Sequence, residues 1–264
     1  MAEEPVRLDV EDGVATVTLN RPEKRNALSD EVSVALETTL REVAEGGARC
    51  LVITGAGGAF SAGGDVDRMR RRVEEDRPVD EAIRNVEQRT AGVVGQVYRF
   101  PVPTVAKIDG PAVGAGAGLA LACDLQLASE DARMGFVFRH VGLSCDAGTS
   151  YLLPRLVGAN KAKELLLTGE ILDAERAAEL GLLNHVYPAD AFDDRVADLV
   201  ATIADGPTVA LRHAMRLVDA AAAKPFEDAL ADEAAAQGVA LSTADHEEGV
   251  AAFLEDREPA FEGR

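Results

Sequence analysis

The chain has no tryptophan, only three tyrosines and only three cysteines in 264 residues. It also has no apolar run of about 18 residues, the length a membrane-spanning helix requires, so no membrane partner is expected. The opening "MAEEPVRLDV" lacks the basic region and apolar stretch of a secretory signal, and a cytoplasmic protein is the expectation. Cys50, Cys123 and Cys145 are odd in number and scattered, and the first two have apolar neighbours; packed reduced thiols are expected in place of disulfides. Histidine is scarce as well. His140, His185, His213 and His246 lie at least 28 residues apart and form no short ligand motif, so no metal site is expected. Basic residues number 27 against 46 acidic ones, only five of them lysine, for a net charge of −19. Such a surface repels nucleic acid phosphates, which excludes that class of partner. A polyanionic ligand would need a local exception, and "NRPEKRNAL" and "RMRRR" are the two places that offer one.

What is present reads as an ordinary folded chain, with 47% hydrophobic and 28% charged residues and a length suited to one large domain with or without an appendage. "VRLDV-EDG-VATVTL" alternates apolar and polar residues around an Asp-Gly turn, the pattern of a hairpin. Ser29 caps a helix on which Val32, Leu36, Leu40 and Val43 keep helical spacing until Gly46 and Gly47 end it. "CLVITG", "PTVAKI" and "CDLQLAS" read as buried strands, with a charged helical stretch over 65–99, interrupted near Pro78, between the first two. Strand, loop and helix recur, which makes this an α/β protein with a layered or spiral sheet. From about residue 148 the pattern turns helical, broken by the strand-like "LLNHVYP".

The segment "GPAVGAGAGLALACD", residues 110 to 124, has four glycines in nine positions and runs into an apolar helix. A phosphate loop is the first idea, since bare backbone at a helix start binds anions. The spacing excludes it: the dinucleotide pattern wants glycine where Leu119 stands, and no Lys-Ser/Thr pair follows.

Together with "AFSAGGD" after an earlier strand, "LNRPEKRNAL" upstream and "EGVAAFLEDREPAF" downstream, this segment resembles the crotonase superfamily, the enoyl-CoA hydratase/isomerase family, over essentially the whole chain. The resemblance implies a spiral of repeated ββα units, with an acyl-CoA-binding core over 1–199 and a C-terminal helical oligomerisation region over 200–264. It implies assembly as a homotrimer or a dimer of trimers, with Phe253 and Phe261 as contacts or as core residues. It implies no cofactor, coenzyme A being part of the substrate.

Family members hold the thioester carbonyl between two backbone N–H groups that stabilise the enolate oxygen of the transition state. By position the donors are Ala62 and Ala115, the second near a helix N-terminus whose partial positive charge favours the same anion. Close packing of helix on strand is the other use such glycines have. Arg25, Ala27, Leu28, Gly64 and Val66 match the adenine and pantetheine contacts, and Val113 and Gly114 adjoin the second donor. Lys24 and Arg25 would meet CoA phosphates, with Arg68 to Arg72 as an alternative face. Asp65, counted with the contact set, reads as a loop-ordering cap of the next helix.

The two glutamates that family hydratases use fall here on Gly118 and Phe138, and neither can move a proton. Asp146, in "GLSCDAGTSYLLPRLVG", stands where family isomerases place an acid-base aspartate and aryl-CoA dehalogenases a nucleophilic one. One carboxylate alone suits double-bond isomerisation of an enoyl-CoA or ring-containing acyl-CoA, with Phe138 widening the apolar wall and Phe136 and Val141 helping to raise the pKa of Asp146. Hydration remains the alternative. Capping of the following helix is the competing reading of Asp146. A Cys145 thiolate with His140 nearby would give a thioesterase, and a silent acyl-CoA binder is the reading outside enzymes.

Overall fold

The structure is a computed structural model that describes residues 4–75 and 78–264. The chain opens with a hairpin of β1 (Val6–Glu11) and β2 (Val14–Leu19), in which Glu11 pairs with Val14. Its two-residue turn places Asp12 and Gly13 at φ 48° and 77°, the double left-handed geometry that an Asp-Gly pair supplies. Helix α1 (Asp30–Glu45) starts where the Ser29 hydroxyl accepts from the Val32 amide at 3.2 Å, and it buries Val32, Leu36, Leu40 and Val43.

Then β3 (Cys50–Gly55) leads through a loop to α2 (Val66–Glu74), α3 (Val79–Gln88) and α4 (Thr90–Tyr98), so the stretch read as one interrupted helix is three. Residues 76 and 77, at its first break, lie outside the described residues. Next come β4 (Thr104–Ile108), β5 (Pro111–Val113) and α5 (Ala115–Leu121), then β6 (Leu125–Ser129), β7 (Arg133–Gly135), a short 3-10 turn Val137–Val141 and α6 (Thr149–Thr168). Helix α6 is kinked at Gly158, φ 76° and ψ 156°, which divides it into the two short units its sequence suggests. The chain closes with β8 (Ile171–Asp173), α7 (Ala174–Glu179), β9 (His185–Tyr187) and helices α8 (Phe192–Ala204), α9 (Thr208–Ala221), α10 (Phe226–Ala240) and α11 (Ala244–Glu255).

The spiral is visible in where successive strands go. One sheet runs β1-β2-β3-β4-β6-β9, parallel from β2 onward, and a second runs β5-β7-β8. Each turn therefore sends one strand to the large sheet, the next to the small sheet, and then a helix: β4, β5, α5, followed by β6, β7, α6. The preceding turn does the same with a single residue, since Ser61 bridges Ala112 in parallel. Strands β3, β4 and β6 in the middle of the large sheet are mostly buried on both faces, as parallel strands covered on both sides must be. Leu51 and Ile53 join the main core with Leu19, Leu36 and Phe60, whereas Cys50 and Val52 face Phe192, Val196 and Val200 of α8. The division expected at 199/200 thus falls inside a helix whose buried side belongs to the sheet.

Beyond α8 the helices expose large apolar side chains; Phe253 is 85% exposed. Phe261 packs on its own chain, its ring beside Gly249 and its carbonyl accepting from Arg49 at 3.0 Å. No helix among the described residues is long and apolar enough to cross a membrane. Cys50 and Cys123 are buried free thiols, and burial pushes the Cys50 pKa up to about 12.

Candidate active site

The first loop of the site is set by Asn26, which the sequence reading passed over. Arg25 and Asn26 both take left-handed backbone, φ 49° and 55°, directly after a 3-10 turn at Pro22–Lys24. Asparagine tolerates that region better than most residues. Wholly buried, Asn26 donates from Nδ2 to the carbonyls of Ala56 (2.9 Å) and Ala59 (2.7 Å) and accepts from the Arg21 amide (2.9 Å). Its own carbonyl accepts from the Ser61 hydroxyl at 2.7 Å. One side chain thereby ties "NRPEKRNAL" to the loop that holds "AFSAGGD".

That loop is pressed against the second glycine segment. Ser61 and Val113 exchange main-chain bonds with the neighbouring strand, Ser61 N to Pro111 O at 3.1 Å and Val113 N to Ser61 O at 3.0 Å. A Cβ on Gly116 would lie 2.5 Å from the Ser61 carbonyl oxygen. At Gly63, φ 79°, a Cβ would lie 2.5 Å from the Val113 carbonyl oxygen and 2.9 Å from the Ala115 amide nitrogen. Close packing is therefore a real use of these glycines, and it is what brings the two loops together.

Ala115 is the first residue of α5, so its N–H has no acceptor within the helix, and none elsewhere among the described residues. The other expected donor is corrected by the structure. Ala62 N–H already donates to the Arg25 carbonyl at 2.8 Å and is not open to a ligand. Ser61 and Gly63 amides are engaged too, the latter with the Ser61 hydroxyl at 3.2 Å. Gly64 has the one amide from 61 to 64 with no acceptor among the described residues, because the left-handed turn at Gly63 carries the chain out of the ladder.

Around these amides, the expected contact residues divide. Ala27 and Leu28 are buried, Leu28 within the main core, so only their backbone could face a ligand. Asp65 caps α2, its Oδ1 accepting from Asp67 N at 2.9 Å and Arg68 N at 3.4 Å, and Val66 is exposed. Gly114, φ 56° and ψ −126°, donates its N–H to Gly135 O at 2.8 Å, beside half-buried Val113. Phe138 lies next to Gly114, 4.0 Å from where its Cβ would be.

Lys24 pairs loosely with Asp67 at 3.4 Å, whereas the exposed Arg25 guanidinium has no partner among the described residues. The alternative basic face is already engaged at two of its arginines. Arg68 bonds Asp30 and Asn85, each at 2.9 Å, and Arg70 lies beside Asp67 and Glu74.

Asp146 sits at the mouth of α6, half-buried, with its Oδ1 buried and without a hydrogen-bond partner among the described residues. It does not cap α6: the capping position is Gly148, φ 71°, and no side chain caps that end. Burial holds the Asp146 carboxyl above the usual aspartate range, opposed in part by the Arg68 guanidinium and a backbone hydrogen bond. Phe136 and Phe138 are buried apolar neighbours in sequence, but Val141 is 54% exposed and does not enclose the carboxyl. His140 packs against Gly169 at the far end of α6, and no hydrogen bond joins it to Cys145 among the described residues. A cleft of about 770 Å³ lies apart from all of this, between the core and α9, lined by Tyr98, Asp124, Arg155, Met215 and Asp219.

The sequence profile of the enoyl-CoA hydratase/isomerase family matches residues 9–264. The chain belongs to that family. It is 36% identical over 256 residues to the 1,2-epoxyphenylacetyl-CoA isomerase of Escherichia coli K12, covering 97% of each chain. It is 35% identical over 198 residues to the 4-chlorobenzoyl coenzyme A dehalogenase-1 of an Arthrobacter species, covering 75% of this chain and 71% of that one. Among solved structures, an enoyl-CoA hydratase of Mycobacterium smegmatis superposes with a TM-score of 0.90 at 35% identity, covering 97% of this chain and 98% of that one. The crotonase fold expected from the motifs is the fold of this protein.

Proposed function

We propose that this family member is an acyl-CoA isomerase in which Asp146 moves the proton. The Gly64 and Ala115 amides would hold the thioester oxygen, where charge builds as the enolate forms. Asp146 would take a proton from one carbon, keep it while the enolate persists, and return it two carbons away. The observation that carries this reading is the pairing of an absence with a presence. Gly118 and Phe138 bear no carboxylate, while Asp146 is half-buried with an oxygen that no group among the described residues engages.

The identity to an epoxyphenylacetyl-CoA isomerase and the apolar wall at Phe138 support a ring-containing acyl group. Coenzyme A, carried by the substrate, would run along Arg25 and the backbone of residues 27 and 28, and the reaction needs no further cofactor. The exposed apolar side chains beyond α8, Phe253 above all, support association into trimers or pairs of trimers; sedimentation as a monomer at micromolar concentration would count against that.

The deciding experiment compares the wild type with Asp146→Asn on straight-chain and aryl enoyl-CoAs, following double-bond movement and water addition together. Loss of isomerisation with acyl-CoA binding retained is the expected result, and a fully active variant would remove the reading. Hydration is the second reading, supported by the names of solved neighbours; oxygen-18 from water appearing in a 3-hydroxyacyl product would establish it. An ester trapped on Asp146 would instead mark a nucleophilic, dehalogenase-type role. Tight acyl-CoA binding with no turnover on any substrate would leave a binding protein.

A further inference from the structure

Two buried side-chain polar atoms lack any hydrogen-bond partner among the described residues, Asp146 Oδ1 and Thr149 Oγ1. Both belong to one turn. Thr149 N–H donates to the Asp146 carbonyl at 3.0 Å, which holds the Cα atoms of residues 146 and 149 within about 7 Å of each other. The turn lies against Gly118, where a Cβ would lie 3.2 Å from Thr149 Oγ1 and 2.5 Å from the carbonyl oxygen of the intervening Ala147. Thr149 is fully buried, so bulk solvent does not reach its hydroxyl. A buried hydroxyl without a partner is costly, and folded proteins keep few of them. That both orphans in the described chain fall on the candidate proton carrier and its turn partner is a coincidence that needs a cause.

Chemistry supplies one. A carboxylate only accepts hydrogen bonds, a carboxylic acid also donates, and a hydroxyl does both. Threonine is therefore a partner that fits the carboxyl before and after it has taken a proton.

We propose that Thr149 is a positioning residue for Asp146, donating to its carboxylate while it waits for the substrate proton and accepting from the carboxylic acid once that proton has arrived. The step breaks a C–H bond, leaves its electron pair in the enolate, and places the proton on Asp146, which gives it up at the second carbon; Thr149 only exchanges the sense of one hydrogen bond. This rests on the reading of Asp146 as the acid-base group. The charged group that acts on Asp146 from another element is Arg68 of α2, so the effect of Thr149 must be read with Arg68 unchanged.

The test titrates the Asp146 carboxyl by carbon-13 NMR of aspartate-labelled protein, its signal assigned by loss in Asp146→Asn, in the wild type, Thr149→Val and Thr149→Ser. Both bonds go with the hydroxyl, and since the charge-assisted one to the carboxylate is the stronger, its removal raises the acid's pKa. Thr149→Val is expected to move the midpoint up by about one unit and Thr149→Ser to restore it. In parallel, kcat on cis-3-hexenoyl-CoA should drop roughly tenfold in Thr149→Val, with hexanoyl-CoA binding unchanged. Should Thr149→Val fail to fold, Thr149→Ala replaces it in the same series. An unchanged midpoint in the hydroxyl-free variant overturns the proposal. Full turnover by Asp146→Asn would sink the catalytic reading instead, a result the titration does not imitate.

Discussion

Gly118 faces Ala147 so closely that a Cβ added to it would lie 2.5 Å from the Ala147 carbonyl oxygen and 2.7 Å from the Ala147 Cβ. Ala147 itself is held at φ 52°, a conformation an alanine adopts at some cost. The position that carries a glutamate in family hydratases is therefore not an empty socket here; the Asp146 turn occupies it.

Restoring the glutamate should not restore hydration. Gly118→Glu is expected to push the 146–148 turn aside, lowering isomerisation by at least about tenfold without producing 3-hydroxyacyl product, since misplacing a catalytic group by an ångström has effects of that order. Parallel assays of both reactions on the purified variant check this; a gain of hydratase activity would contradict the steric account.

Arg68 is the charge that opposes burial at Asp146. Arg68→Met removes it, which disfavours the carboxylate and raises the pKa further. For a group that must be ionised to act as base, the acid limb of the kcat/KM profile should then move to higher pH. A profile unchanged in Arg68→Met would show that the guanidinium acts only through Asp30 and Asn85.

Because the folded-state pKa of Asp146 lies above its unfolded value, the folded protein binds the proton more tightly. Stability therefore falls as pH rises through the window that opens at the ordinary aspartate value and closes at the raised one. Asp146→Asn escapes that penalty. It should melt higher than the wild type at neutral pH, by roughly 2 °C, with the advantage vanishing below the window. Thermal melts at several pH values are the measurement.

Asn26→Ala would strip partners from the carbonyls of Ala56 and Ala59 and from the Arg21 amide. Leaving buried groups unpaired costs about 1–3 kcal/mol each, so a loss of several degrees in melting temperature is expected. Activity should fall further than stability explains, because the same side chain shapes the loop that presents Gly64. Melting and turnover measured on one preparation separate the two effects.

Much of the architecture was legible because its signals are local. An Asp-Gly turn between alternating runs marks the β1–β2 hairpin, and Ser29 with its periodic apolar positions marks α1. Strands β5, β7 and β8 were not seen, since three residues are too few to display a period and their partners lie elsewhere in the chain. The site was legible to the level of its loops and of Asp146. Which amide stays free was not: Ala62 and Gly64 are two residues apart, and only the turn at Gly63 decides which of them the Arg25 carbonyl captures. Capping could not be dismissed for Asp146 either, because Asp-Ala-Gly-Thr is good capping chemistry until the backbone shows the helix beginning two residues too late.

The contrast between Ala62 and Gly64 reaches beyond catalysis. A main-chain proton locked to the Arg25 carbonyl trades with solvent only when the loop opens, whereas one two positions along, with no acceptor among the described residues, trades freely. Deuterium uptake should therefore differ steeply across these neighbours in the resting protein, and an occupied thioester cradle should flatten the difference by slowing Gly64 alone.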